Sequence, residues 1–177
     1  QFGSLDLRKY YKIIVYKTIG HGDETSILIQ TDREIQDGGY GMIGRELISI
    51  NPYKGNRLQL SGYIKTENVS NQAGLMLRVD GVGSNNELAV DDMSDRAPSG
   101  STDWQRFTLV LEIPEDVAVR GIYYGFYLAG SGKAWVDDIQ FDVVSEDVPV
   151  TDLLPAIQAT RVANDAAETA VTQQLIF

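Results

Sequence analysis

Arg57-Leu58-Gln59-Leu60-Ser61-Gly62-Tyr63-Ile64-Lys65-Thr66 alternates at every step: Leu58, Leu60, Gly62 and Ile64 share one parity, and Gln59, Ser61, Tyr63 and Lys65 the other. Successive side chains of a strand point to opposite faces, so this stretch reads as a half-buried strand between a core and solvent. The period of two recurs in both directions. Toward the N-terminus come Met42 to Ile50, ended by Asn51-Pro52, then Ser26 to Gln30 and Tyr11 to Tyr16, with the turn-forming Gly20-His21-Gly22-Asp23 between those two. Toward the C-terminus, Leu75, Leu77 and Val79 precede an Asp80-Gly81 turn, and Phe107, Leu109, Leu111 and Ile113 stop at Pro114. Gly121 to Leu128 and Lys133 to Val144 close the series. The short, Gly-rich Ala129-Gly130-Ser131-Gly132 between them reads as a hairpin.

Eight or nine short strands without interleaved helices predict an all-β fold, two antiparallel sheets packed as a sandwich of the jelly-roll or related Greek-key kind. After Pro149 the pattern changes: 153–177 contains no Gly, Ala is frequent, and Ile157, Val162, Ala166 and Ala170 or Val171 recur at helical steps. Pro155 sits where a first helical turn tolerates it. The division is therefore a β-sandwich over 1–148 and a linker or C-terminal helix over 149–177. That helix either leads toward a further domain or packs on the sandwich.

The chain has 177 residues and a formal net charge of −10, which disfavours a phosphate backbone as partner; no nucleic acid is expected. No apolar run is long enough to span a bilayer, and no export leader is expected in it. The absence of cysteine excludes disulfides and thiolate chemistry, and a single histidine, His21, excludes His-pair metal sites. Acidic side chains lie mainly in turns, whereas glycosidases of this architecture project paired carboxylates from a strand centre, so no enzyme activity is expected.

In the last strand, Trp135, Asp137, Ile139 and Phe141 share a parity, which places a carboxylate on the core side. Such a group must be paired, hydrogen-bonded or metal-bound. A structural Ca2+ on Asp137, with donors from the turn that contains His21 and Asp23, is one solution. The other is that Asp137 caps backbone N–H groups, or that a bulge turns it outward.

From Tyr53 to Val144 the chain resembles a recurrent bacterial module related to carbohydrate-binding, galactose-binding-like jelly rolls. That module occurs beside hydrolase or peptidase domains and in regulators of the AraC type. The resemblance rests on Tyr53 to Arg57, Leu60 to Val69, Ala73 to Gly81, Asp91 to Arg96, Gly100 to Gln105, Ala129 to Gly132 and Trp135 to Asp138. Leu5-Asp6-Leu7-Arg8 is similar to an opening motif whose final Glu, with the strand Asp, holds Ca2+ in relatives; here Arg8 occupies that place. Met76 stands where relatives often carry Trp. The resemblance implies a non-catalytic accessory module of a larger protein, with a carbohydrate or small-molecule ligand and a neighbouring domain of the same polypeptide as partners. A ligand-sensing domain of a transcriptional regulator and a structural interaction domain are the alternatives. The compartment follows the host: extracellular or periplasmic for an exported enzyme, cytoplasmic for a regulator.

Tyr123 and Tyr127 flank Gly125 on one parity and would form an outward ligand platform with Tyr63, Gln59 and Arg78, or ordinary cross-strand pairs. Asp91-Asp92-Met93-Ser94-Asp95-Arg96 reads as a solvated loop with an Asp95–Arg96 or Asp–Arg78 ion pair, and Trp104 as a packing anchor.

Overall fold

In a computed structural model, which describes residues 10–33, 39–47, 49–83, 86–160 and 162–164, the alternating stretch lies inside a two-sheet sandwich. The strands are β1 (Lys12–Tyr16), β2 (Ser26–Thr31), β3 (Tyr40–Leu47), β4 (Arg57–Val69), β5 (Gln72–Gly81), β6 (Glu87–Asp91), β7 (Gly100–Glu112), β8 (Val119–Ala129) and β9 (Gly132–Val144). They form a five-stranded sheet in the order β1-β2-β9-β4-β7 and a four-stranded sheet in the order β3-β8-β5-β6. Every pairing is antiparallel. Leu58, Leu60 and Ile64 of β4 meet Leu75, Leu77 and Val79 of β5 and Ile122, Phe126 and Leu128 of β8 in one core. Burying each such side chain stabilises the fold by about 1.5–3 kcal/mol.

The structure departs from, or adds to, the sequence pattern at three points. The link Ala129 to Gly132 is not a hairpin, because β8 and β9 belong to different sheets. Gly130 and Gly132 take φ of 75° and 116°, conformations that free this short link to swing from one sheet to the other. β6 carries no clear sequence signal, since Glu87 to Asp91 shows little alternation. The third point concerns parity in β9. Between Ser61 and Tyr63 the β4–β9 register slips by one residue, and Asp138 takes φ 49° in the resulting bulge. Ala134 and Val136, not Trp135, therefore face the core, and the parity recovers at Phe141, which stacks on Tyr124 at 5.1 Å. Ile139 is left 42% exposed.

After β9 the chain returns to the sandwich. Thr151 N–H donates to Val110 O (2.8 Å) and Val110 N–H to Thr151 Oγ1 (2.8 Å), while Leu153 N–H donates to Val90 O (2.7 Å). Val110 lies on β7 and Val90 on β6, the outer strands of the two sheets, so this strap stitches the sheets together. Asp152 Oδ1 accepts from both Val90 N–H (2.9 Å) and Leu154 N–H (3.0 Å), capping the helical residues 154–160. The rest of the expected helix, from 165 on, lies outside the described residues. Among those described, no helix is long and apolar enough to cross a membrane.

Candidate functional site

The outward face of the four-stranded sheet is a grid of three rungs. Cross-strand register sets Met42 beside Tyr127 and Gly74, Gly44 beside Gly125 and Met76, and Glu46 beside Tyr123 and Arg78. The glycines are required by what lies over them. A Cβ on Gly125 would come within 2.6 Å of Met42 Cε, and one on Gly74 within 3.0 Å of the Tyr127 ring. Met42 and Tyr127 thus lie flat along the sheet.

Tyr123 and Tyr127 do share this face with Arg78, but they are only 9% and 8% exposed. Tyr127 Oη donates to Asp92 O (2.8 Å) and accepts from Gln72 Nε2 (2.9 Å). Burial, then the field of Asp92, raises its pKa well above the usual phenol value. Tyr123 Oη donates to Glu46 Oε1 (2.7 Å), and the Arg78 guanidinium covers its ring at 5.1 Å. Burial, followed by the Glu46 hydrogen bond, raises the Tyr123 pKa. The two tyrosines are supports of the face rather than open plates. Arg78 is itself paired with Asp80 at 2.9 Å. The aromatic surface that is open belongs to Tyr40, 41% exposed and edge-on to Tyr127 at 6.3 Å. Sequence reasoning passed over Tyr40, although Tyr40, Met42, Gly44 and Glu46 carry the outward parity of β3.

Tyr63 is on the other sheet, as is Gln59, so the expected platform of Tyr63 with Tyr123, Tyr127 and Arg78 does not assemble. His21 stacks on Tyr63 at 3.5 Å and meets Trp104 edge-on at 6.0 Å. The turn between β1 and β2 is thereby folded over the five-stranded sheet. Asp137 holds it there: Oδ2 accepts His21 N–H (2.7 Å), and Oδ1 accepts Asp138 N–H (2.8 Å). His21 Nδ1 meets Asp138 Oδ2 at 2.7 Å, and Asp23 Oδ1 accepts Thr25 N–H at 2.6 Å. The bulge has turned Asp137 out of the core, and backbone N–H groups occupy its oxygens. Ca2+ takes about six to eight oxygen ligands. Among the described residues no group of three or more His, Cys, Asp or Glu side chains converges. The motif ending at Arg8 lies outside the described residues.

The carboxylate that does sit on the core side is Asp91, opposite Leu77 and 0% exposed. It accepts Arg96 Nη2 (2.5 Å) and Met93 N–H (3.0 Å). Arg96 also pairs with Asp95 (2.7 Å), as expected, but Asp91 is no part of a solvated loop.

This architecture is a jelly-roll β-sandwich, the fold of carbohydrate-binding modules. A family 16 carbohydrate-binding module superposes with a TM-score of 0.53 and 12% identity over 75% of this chain and 86% of that one. The CBM22-1 xylan-binding domain of Paenibacillus barcinonensis Xyn10C gives 0.50 and 15% over 76% and 82%. The enzymatically active domain of bacteriophage CBA120 tailspike protein 4 gives 0.52 and 13%, over 76% of this chain and 18% of that one. At these identities the likeness is one of fold. In sequence, the chain is 39% identical over 119 residues to YbfP of Bacillus subtilis (strain 168), described as an uncharacterized HTH-type transcriptional regulator. The match takes in 67% of this chain and 39% of YbfP, so the chain spans about two fifths of that relative's length. No protein-family model matches the chain.

Proposed function

We propose that the chain is a non-catalytic binding module of a larger bacterial protein, with carbohydrate as its ligand and the outward face of the four-stranded sheet as its recognition surface. The observation that carries this is the strip of Tyr40, Met42 and Met76 beside hydrogen-bonding groups on Gln72 and Glu46. Apolar atoms suit the C–H faces of a pyranose, and planar polar groups suit its hydroxyls. The carboxylates of this face are engaged, Glu46 by Tyr123 and Asp80 by Arg78, which supports binding rather than hydrolysis. The test is affinity electrophoresis through gels containing soluble xylan, mixed-linkage β-glucan or galactomannan. Retardation is expected in at least one gel and is lost on Tyr40→Ala or Met76→Ala. Unchanged mobility in all of them, with no signal on a glycan array, sinks the reading.

The YbfP likeness favours a second reading, a ligand-sensing domain of a regulator that signals through the strap and helix after Val148. On this reading a small metabolite raises the melting temperature and changes hydrogen exchange over 149–164. Stabilisation without any change there counts against it.

A further inference from the structure

On the opposite side of the sandwich, Lys12, Gln30, Lys133 and Glu67 stand in one cross-strand row over β1, β2, β9 and β4. Their parity is that of Leu28 and Trp135, the outward side of the five-stranded sheet. Asp32 and Asn68 rise at the ends of β2 and β4, and the row floors a depression of about 490 Å3. Small-ligand sites commonly measure about 300–1,000 Å3.

The walls are braced by residues behind them. Ser70 N–H donates to Ser131 O (3.0 Å) and Ser131 N–H to Ser70 Oγ (2.8 Å), locking the β4–β5 and β8–β9 turns together. Gly132, at φ 116°, lets β9 approach so closely that a Cβ there would meet Asn68 O at 2.5 Å. From the core side, Tyr11 Oη lies 3.1 Å from Gly130 O and 3.0 Å from Gly39 O. Such bracing lowers the ordering cost of binding, since the groups are held before a ligand arrives.

The chemistry of the lining selects the ligand. Lys12 and Lys133 balance Asp32 and Glu67, so the depression is neutral although the chain carries −10. Gln30 and Asn68 each present an amide that can donate to one hydroxyl and accept from its neighbour. We infer that this depression is a second binding site, separate from the face of the four-stranded sheet, for a neutral, hydroxyl-rich ligand of mono- or disaccharide size. The inference rests on the carbohydrate reading above but on none of the residues that carry it.

The experiment is a titration of the 15N-labelled chain with glucose, galactose, xylose, N-acetylglucosamine, cellobiose and xylobiose, followed by amide shifts. Saturable shifts at 30–32, 67–71 and 131–133 are expected with at least one sugar. Gln30→Ala and Lys133→Ala should each weaken that binding about tenfold, the loss of one good polar contact, with unchanged melting temperature. Tyr40→Ala should leave it intact. Shifts confined to β3, β5 and β8 overturn the pocket and leave the carbohydrate reading standing, as does polysaccharide retardation without any shift in the depression. Silence in both the titration and the gels overturns both. Variants that bind as well as the unaltered chain overturn the pocket alone.

Discussion

Asp91 closes β6, and its carboxylate is fully buried against the Arg96 guanidinium. Removing one partner of a buried pair strands the other. Full burial makes that loss about 3–5 kcal/mol, and because Arg96 is half-buried we expect about 2–3 kcal/mol for Asp91→Ala in urea unfolding. Asp95→Ala removes the exposed pair of the same arginine and should cost under about 1 kcal/mol. Equal losses for the two would refute this account of Asp91. Two tyrosines give the chain an alkaline limit. Burial lifts Tyr11 to about 12 and Tyr127 further, both from 10.0. A folded-state pKa above the unfolded one favours the protonated form, so this stability is whole below about pH 10 and falls as pH rises beyond it. Tyr127→Phe should flatten the fall in melting temperature above pH 10, at a neutral-pH cost of about 1 kcal/mol for its lost hydrogen bonds. A profile parallel to that of the unaltered chain would exclude Tyr127 as a source.

Among the elements, the strap after β9 depends on one carboxylate that serves a strand and a helix at once. Asp152→Ala removes the one acceptor that both N–H groups share, and a lost helix cap alone costs about 1 kcal/mol. Hydrogen exchange should quicken at Val90 and Leu154 together; exchange at only one would show that strap and helix are independent. The β9 bulge is the other decisive element. If capping is the whole role of Asp137, neither added Ca2+ nor chelator shifts the melting temperature, whereas a Ca2+-dependent rise would draw Asp137 into a metal shell. The strands of the sandwich were legible in the sequence because alternation is a local signal, and β4, β5 and β7 carry it cleanly. The side-chain facing in β9 was not, because one extra residue inverts parity and only the register against β4 reveals it. The same limit hid the site. Tyr123 and Tyr127 do lie outward, as their parity implies, but the Arg78 guanidinium and the Asp92 carbonyl that engage them come from parts of the chain distant in sequence. Tyr63 and Tyr123 share a residue type and an outward parity, yet only sheet assignment shows that they point to opposite sides.

At the level of the whole molecule, the sandwich presents two unlike faces. One is a strip of Tyr40, Met42 and Met76 supported by two buried phenols; the other is a polar row walled by interlocked turns. Both are assembled from strands far apart in the chain, and β9 is the central piece of the second. It pairs with β2 on one side and β4 on the other, so the last strand made fills the middle of the five-stranded sheet. During synthesis, β2 and β4 must therefore wait with bare edges until residue 144 has cleared the ribosome. A chain stopped before Gly132 would keep those edges open to other nascent chains. Such a truncated chain should sediment with aggregates while the full one stays dispersed, and an N-terminal fragment that folded by itself would contradict this order of assembly. For a module attached to a larger protein, folding becomes an event at the end of its own translation, with little room for an early start.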